Sequence, residues 1–284
     1  RINECDERKN TEGINNFYLN ASHSADKVVF VSSWLESIFI DIGLNPLKSS
    51  VIMSGSDDDI FKPNNQYNFS NKIKLVTHHW SSHDNKGFET YFLIDNLLEN
   101  KIWNQRIEFT YIGNLSKNQK FKNTNVLSPL SGVNLAQELC KHDIYVTGSI
   151  NEPSGNHHIE GALCGLPVLY KNSGGIPEYA EGYGESFNED FIIKLNEMID
   201  NYEFYKSKMS DYPFKSDIMC KEYLELFESL LSEKNNSAHN SYLFKSMFFR
   251  LKHKVFDNFL SLLKDQLRNS LFSLIKKITG SFNG

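Results

Sequence analysis

The sequence has few cysteines, and their arrangement indicates neither a disulfide framework nor a zinc site. The 284 residues contain four, scattered without a C-x-x-C pair, at Cys5, Cys140, Cys164 and Cys220. A small secreted domain held together by disulfides carries a much denser cysteine pattern. We therefore expect a reduced, cytoplasmic compartment.

Long apolar runs are also missing. No uncharged apolar stretch approaches the ~20 residues that a helix needs to cross a bilayer. The chain starts at Arg1, with neither a methionine nor a signal-like segment, so we expect a fragment of a longer protein. A composition of 40% hydrophobic and 23% charged residues is typical of one large or two modest globular domains, and is too apolar for a disordered chain.

Charge is unevenly distributed along the chain. The net charge is −5, yet residues 235–284 carry eight Lys/Arg and only two Asp. Within 241–279, apolar residues recur mostly three and four positions apart, which predicts a basic amphipathic helix. Such a helix can lie on an anionic membrane, pack on its own domain or form a helical oligomer contact. We favour the membrane, through 240–279, and expect a protein peripheral at the inner face of the cell membrane. We expect no nucleic-acid partner, because the rest of the chain is acidic.

Hydrophobic patterning indicates alternating strands and helices. It predicts strands at 28–32, 50–55, 72–80, 107–113, 125–130, 143–149 and 167–171. It predicts helices at 14–25, 34–43, 86–100, 132–142, 157–165, 189–209 and 216–233. This alternation is typical of an α/β fold with a parallel sheet covered by helices on both faces. Ligands bind such sheets at the carboxyl ends of the strands.

One stretch, 151–168, combines the features of a binding cleft. Seven residues separate Glu152 from Glu160, and they include a Pro-Ser-Gly turn and a predicted helix start. A strand at 143–149 precedes them. A strand, a glycine-containing turn and a helix start together place backbone N–H groups against an anionic ligand. The carboxylates alone leave two uses open, acid–base catalysis as in a glycosidase or the holding of ligand hydroxyls.

Residues 152–178, EPSGNHHIEGALCGLPVLYKNSGGIPE, resemble the signature of family-four retaining glycosyltransferases of GT-B fold. In that family, two glutamates spaced in this way precede an A-x-x-C/A-G-x-P-V strand entry and a G-G-x-P-E loop. Other stretches match in the family's order: VVFVSSWLES (28–37), SVIMSGSDDDIF (50–61), HHWSSHDNKGFETY (78–91) and IEFTYIGN (107–114). The resemblance covers residues 1 to about 230, and the ordered set is more specific than any one motif.

The resemblance implies a domain arrangement. Residues 1–62 would be the end of an acceptor domain with its linker, 63–234 a Rossmann-like donor domain with closing helices, and 235–284 a helical tail. Most of the acceptor domain would then precede Arg1, so this chain alone should bind donor and transfer little or nothing. The reaction implied is retaining, metal-independent transfer of a hexose-type sugar from a nucleotide-diphosphate sugar to a glycan or lipid-linked acceptor, such as a polysaccharide intermediate.

The resemblance also assigns roles to residues. Lys86 suits a diphosphate oxygen and Glu152 suits hydroxyls of the transferred sugar, so these two are the expected catalytic residues. Glu160 suits the ribose hydroxyls. Gly174 and Gly175 allow close backbone approach. The expected donor-binding residues are Glu160, Gly113, Ser154, Gly155, Asn156, His157, His158, Gly174 and Gly175. We expect no cofactor besides the donor itself.

Some features depart from the family pattern or indicate other chemistry. The family commonly has an arginine about six residues before the lysine, where this sequence has 78–82, HHWSS. A histidine or the serine hydroxyls would have to replace it, or donor binding would be weaker. Asp57–Asp59 fits a D-x-D metal pattern but lies in the linker, and the adjacent histidine pairs diverge, so we expect no metal site. The alternative functions are a non-catalytic nucleotide-sugar-binding subunit, a sugar-nucleotide epimerase of the same fold, and a membrane-anchoring module.

Overall fold

The computed structural model describes residues 1–64 and 71–234. The chain divides into two compact units, Arg1–Glu228 and Ser229–Gly284. Of the second unit, only the end of a helix is described. The predicted amphipathic helix at 241–279 lies outside the described residues. In the described ranges, no helix has both the length and the apolar character needed to cross a membrane.

The first unit contains eight strands in two parallel sheets. They are β1 (Val28–Phe30), β2 (Ser49–Val51), β3 (Ile73–His79), β4 (Ile107–Gly113), β5 (Asn125–Leu127), β6 (Ile144–Thr147), β7 (Val168–Lys171) and β8 (Gly184–Phe187). Strands β1 and β2 form a small sheet, and the other six form a sheet in the order β5-β4-β3-β6-β7-β8. Every neighbouring pair is parallel, which confirms the predicted sheet type.

Eleven α-helices accompany these strands in the described part of the chain. They are α1 (Asp6–Lys9), α2 (Ile14–Ser22), α3 (Ser33–Asp41), α4 (Phe88–Leu97), α5 (Lys101–Arg106), α6 (Gly132–Leu139), α7 (Asn156–Leu163), α8 (Ile176–Ala180), α9 (Phe191–Asp200), α10 (Tyr202–Lys208) and α11 (Ser216–Lys234). Short 3₁₀ turns lie at Pro46–Lys48, Asp84–Lys86 and Met209–Asp211. The helix predicted over 189–209 is two helices, because the side chain of Asn201 bonds the carbonyl of Glu197 and the chain turns there.

The six-stranded sheet is covered on both faces, as predicted. Consecutive strand residues point to opposite faces, so Leu75 and Val76 of β3 belong to different cores. One core joins the sheet to α4 and α9 through Leu75, Tyr111, Val146, Phe88, Ile94 and Leu195. The other joins it to α6 and α7 through Val76, Ile112, Tyr145, Leu135 and Ile159.

The strand order reverses between β3 and β6. The chain runs from β3 through β4 to β5 on one side, then returns to place β6 on the other side of β3. A crevice therefore opens at the carboxyl ends of β3 and β6, where open α/β sheets bind ligands. Two glycines keep the loops there close together, since a Cβ on Gly87 would lie 2.3 Å from the carbonyl carbon of Gly148.

The first 62 residues contact the six-stranded part through α8 and its flanks. The carboxylate of Glu178 accepts hydrogen bonds from the amides of Ser33 (2.8 Å) and Trp34 (2.7 Å) at the start of α3. The hydroxyl of Tyr179 donates to the carbonyl of Val31. Both parts lie within one compact unit, and the domain boundary at 62/63 stays a prediction.

Candidate functional site

A cavity of about 540 Å³ lies at the carboxyl ends of β3 and β6. Seven of the residues singled out in the sequence line it: Lys86, Glu152, Ser154, Gly155, Asn156, His157 and Glu160. The structure therefore brings the three charged candidates together, although 66 residues separate Lys86 from Glu152. Their common position follows from the sheet topology, because the loops after β3 and β6 meet at one edge.

The carboxylate of Glu152 forms ion pairs with two basic side chains. Its Oε2 lies 2.5 Å from Nζ of Lys86, and its Oε1 lies 2.9 Å from Nε of Arg8. The residue is only 4% exposed. Burial alone would raise the pKa of this carboxyl, but the adjacent Lys86 and Arg8 cations outweigh it and lower the pKa below its ordinary value. Glu152 is therefore ionised at neutral pH.

Two glycines support the backbone of Glu152 from behind. A Cβ on Gly174, which has φ +67°, would lie 2.6 Å from both the amide nitrogen and the carbonyl oxygen of Glu152. The amide of Gly175 donates to that carbonyl at 2.9 Å. Neither glycine lines the cavity. The sequence predicts that these glycines allow a close backbone approach. In the structure they approach the backbone of Glu152.

Glu160 lies in the second turn of α7, close to the helix start. Helix α7 begins at Asn156 after Gly155, whose φ of +74° makes the sharp entry from the turn. Oε2 of Glu160 lies 2.9 Å from Nε2 of His78, at the end of β3. The other ring nitrogen of His78 lies 3.2 Å from the hydroxyl of Tyr145, which also accepts from the amide of His78. These bonds connect a cavity carboxylate to the buried sheet.

Three buried histidines pack beside the cavity. The rings of His79 and His157 lie 4.6 Å apart, and those of His157 and His158 5.2 Å apart. Burial, followed by the charge of neighbouring cations, holds the pKa of His79 and of His157 well below the usual range. Burial also lowers the pKa of His158 to about 4. All three are therefore neutral at pH 7 and serve as hydrogen-bonding groups there.

Each of these neutral rings has a defined partner. Nε2 of His157 lies 3.1 Å from the hydroxyl of Thr147, and Nε2 of His79 lies 2.6 Å from that of Tyr91. Nε2 of His158 donates to the carbonyl of Ser154. His157 lines the cavity, whereas His158 lies behind it and braces the turn that carries Ser154.

Gly113 and the aspartates of the linker are not among the residues that line this cavity. Gly113 pairs with His79 in the sheet, and a Cβ there would lie 2.1 Å from the His79 carbonyl oxygen. Asp58 forms an ion pair of 3.2 Å with Lys215, and Asp57 accepts from the amide of Asp59. Over residues 1–64 and 71–234, no group of three or more His, Cys, Asp or Glu side chains is arranged to hold a metal ion.

Among the lining residues to which sequence reasoning gave no role, Arg8 and Trp80 stand out by their chemistry. Arg8 belongs to a polar opening segment with no local sign of a site, and it reaches Glu152 only because the fold joins positions 144 residues apart. Trp80 directly follows β3, and 74% of it is exposed. A large exposed aromatic at the carboxyl end of a strand is a signal that could have found it.

No protein-family model and no curated protein sequence matches this chain. Solved glycosyltransferase structures match its fold. A glycosyltransferase from Rickettsia africae ESF-5 aligns with a TM-score of 0.60 and 18% identity, covering 78% of this chain and 68% of the other. The sucrose-phosphate synthase of Thermosynechococcus elongatus aligns with 0.62 and 16%, covering 78% and 63%. Anabaena HepE in complex with UDP-glucose aligns with 0.63 and 18%, covering 80% and 71%.

These alignments show a shared fold. The chain has the α/β fold of GT-B glycosyltransferases, with a parallel sheet flanked by helices, as the sequence predicts. It spans less than two thirds of the sucrose-phosphate synthase and a little more than two thirds of the other two chains.

Proposed function

We propose that this chain is the donor-binding part of a retaining, metal-independent glycosyltransferase, which binds a nucleotide-diphosphate sugar and transfers its hexose-type sugar to a glycan or lipid-linked acceptor. The observation that carries the proposal is the meeting of Lys86, Glu152 and Glu160 around one cavity at the reversal of the strand order. A lysine beside a helix start and two carboxylates provide groups for each part of such a donor.

Lys86 and the start of α7 would meet the diphosphate. Sugar transfer leaves a nucleoside diphosphate, so negative charge grows on its oxygens and needs fixed donors. The Lys86 ammonium provides a positive charge, and the amides of the first turn of α7 have no partner within the helix. Gly155, Asn156 and His157 line the cavity at this point. These groups can stabilise the leaving group without a metal ion.

The two glutamates would hold hydroxyl groups. An ionised carboxylate accepts hydrogen bonds but donates none, which suits the vicinal hydroxyls of a ribose or a hexose. Glu160, oriented by His78, would bind the ribose. Glu152 would bind the transferred sugar, once the ligand's phosphates draw away one or both of its cations. Its lowered pKa argues against a general-acid role at neutral pH.

The matched structures indicate which donor to test first. HepE is described in complex with UDP-glucose, and pneumococcal GtfA, an O-GlcNAc transferase, in complex with UDP and GlcNAc. A UDP-hexose is therefore the first donor for this chain. We place the acceptor among glycans and lipid-linked saccharides, and membrane contact through 240–279 remains part of the proposal.

A non-catalytic nucleotide-sugar-binding protein is the second candidate. The observation that favours it is that Trp80 occupies the region where similar enzymes carry an arginine, while Glu152 engages both cations that line the cavity. Such a protein would bind the donor without transferring its sugar.

Titration calorimetry with UDP, GDP, ADP and UDP-glucose tests the proposal. The parent chain should bind at least one of these, and Glu160→Ala should weaken that binding at least ten-fold. Glu189→Gln is the control, because Glu189 is an exposed glutamate remote from the cavity. No binding by the parent, or equal binding by parent and Glu160→Ala, would overturn the proposal.

A further inference from the structure

Arg8 is the second cation at the cavity, and it reaches there from the opening segment of the chain. We propose that Arg8 binds the diphosphate of the donor together with Lys86. When the donor enters, both side chains would leave the carboxylate oxygens of Glu152 and contact phosphate oxygens instead. This inference rests on the proposed function. It assigns part of the donor site to α1, in the polar segment that opens the chain.

The charges of the cavity support the inference. Of the described residues that line it, Arg8 and Lys86 are the two that carry a lysine or arginine side chain. Both contact the single buried carboxylate of Glu152, on different oxygens. A nucleoside diphosphate carries more than one negative charge, and Lys86 alone provides one positive charge. The charges of Lys86 and Glu152 cancel, so a diphosphate beside this pair meets a net positive charge only when the Arg8 cation is counted.

The guanidinium of Arg8 has N–H donors beyond those that contact Glu152 and Glu4, and these can bind a phosphate. It is planar and offers five N–H donors in a fork that fits phosphate oxygens. Nε contacts Glu152, and Nη1 contacts Glu4 at 2.7 Å. Its Nη2 group makes no hydrogen bond with the described residues. Contact with Glu4 can persist while the other donors turn to a ligand, so Arg8 need not leave its helix to bind phosphate.

The backbone of α1 is fixed to both loops of the site. Nδ2 of Asn85, next to Lys86, donates to the carbonyl of Arg8 at 2.9 Å. Nδ2 of Asn151, next to Glu152, donates to the carbonyl of Glu7 at 3.2 Å. Each loop that carries a predicted catalytic residue therefore also holds the helix that carries Arg8. The position of the guanidinium at the cavity is thus built into the fold and does not depend on one ion pair.

Binding of three probes to four forms of the full chain tests this assignment. The probes are UDP, or whichever nucleoside diphosphate the parent binds best, the matching nucleoside, and inorganic pyrophosphate. The forms are the parent, Arg8→Gln, Arg8→Lys and Lys9→Gln. Lys9 is the matched control, because it lies on the same helix and pairs with Glu4 but does not line the cavity. Thermal unfolding of each form confirms that it is folded.

We expect Arg8→Gln to weaken binding of the nucleoside diphosphate and of pyrophosphate at least ten-fold, while binding of the nucleoside changes less than two-fold. Arg8→Lys should recover part of the loss, since it keeps the charge without the fork. Lys9→Gln should match the parent.

Three results would overturn the assignment. Equal or tighter diphosphate binding by Arg8→Gln would show that Arg8 only restrains Glu152. Equal weakening of nucleoside and nucleoside diphosphate would show a purely structural role. An effect of Lys9→Gln as large as that of Arg8→Gln would indicate general electrostatic attraction. If the parent binds no nucleoside diphosphate at all, the proposed function itself fails, which is a separate outcome.

Discussion

Nε2 of His78 lies 2.9 Å from Oε2 of Glu160, and the ring is held from its other side by the hydroxyl of Tyr145. The amide of His78 donates to that hydroxyl, and the hydroxyl lies 3.2 Å from Nδ1 and 3.4 Å from the carbonyl oxygen of His78. A carboxylate only accepts hydrogen bonds, so Nε2 of His78 is the donor in its contact with Glu160. Strand β3 thus sets the direction of a side chain that belongs to α7.

His78→Asn should weaken nucleotide binding through Glu160. The asparagine side chain is too short to reach the carboxylate, which would then adopt other rotamers. We expect three- to ten-fold weaker binding of the nucleoside diphosphate, equivalent to roughly 0.7–1.4 kcal/mol. Calorimetry measures the effect, and the exposed residue His23 provides the control variant His23→Asn. In a Glu160→Gln background the His78 substitution should have little further effect, and full additivity would contradict the coupling.

Gly174→Ala should damage the Glu152 turn. The residue has φ +67°, and a Cβ would lie 2.6 Å from two backbone atoms of Glu152. Gly182→Ala is the matched control, since Gly182 has φ +83° but nothing within 4 Å of the added carbon. Positive φ alone costs roughly 1–2 kcal/mol. We expect the free energy of unfolding to fall by that amount in the control and by at least ~1 kcal/mol more in Gly174→Ala, measured by urea unfolding. Equal losses of unfolding free energy in Gly174→Ala and Gly182→Ala would mean that the backbone around Glu152 shifts without cost to accept the added Cβ.

Buried neutral histidines should make the chain sensitive to mild acid. The pKa of His158 falls from 6.5 in the unfolded chain to about 4 in the folded one, chiefly through burial. The unfolded state therefore binds the proton first, and the stability that this residue contributes declines as pH falls from about 6.5 to 4. The loss at pH 4 amounts to about 3 kcal/mol.

His158→Gln tests this pH dependence, because the glutamine amide can still donate to the Ser154 carbonyl. Urea unfolding at several pH values between 7 and 4 should show a shallower decline for His158→Gln than for the parent. His23→Gln, at an exposed position, should follow the parent curve. Parallel curves for all three proteins would rule out His158 as a source of the acid sensitivity.

Glu152 should affect the stability of the folded chain in a more acidic range than His158 does. It stabilises the fold in its charged form, whereas His158 does so in its neutral form. Its pKa is lowered from the ordinary 4.5, so the ionised carboxylate stabilises the folded chain above that pH, and this contribution is lost as pH falls through the folded value. Glu152→Gln removes one member of a buried ion pair, and we expect a loss of about 3 kcal/mol at pH 7. The difference from the parent should shrink as the pH falls below the ordinary value of 4.5. A difference that stays constant down to pH 3 would contradict the charge-based account.

Local sequence patterns predicted the strand, the turn and the helix at the centre of the candidate site, since these elements are short and contiguous. The strand, turn and helix around Glu152 and Glu160 lie within 25 residues, so periodicity and turn residues were enough to place them. Lys86 could be placed at the same edge of the sheet because it follows β3, a strand predicted for the same parallel sheet. The parallel sheet with two covered faces followed from the alternation of elements alone.

Contacts between distant segments could not be read in the same way. Arg8 reaches Glu152 across 144 residues, and a four-residue helix in a polar segment has no periodicity. Strand β8 was missed because it is an edge strand of four residues, Gly184–Phe187, and only its last residue is buried. The roles of Gly174 and Gly175 depend on the chain segment that packs against them. The local sequence around these glycines does not identify that segment.

The loop from Gly174 to Glu178 has a fixed length. At one end, the amide of Gly175 bonds the carbonyl of Glu152; at the other, the Glu178 carboxylate caps α3 through two amides. Only Ile176 and Pro177 lie between these two attachments. An insertion or deletion of a single residue would therefore detach either the Glu152 turn or α3. Length variation among natural homologues should be excluded here, yet tolerated at the turn around Gly182, where nothing lies within 4 Å of an added Cβ.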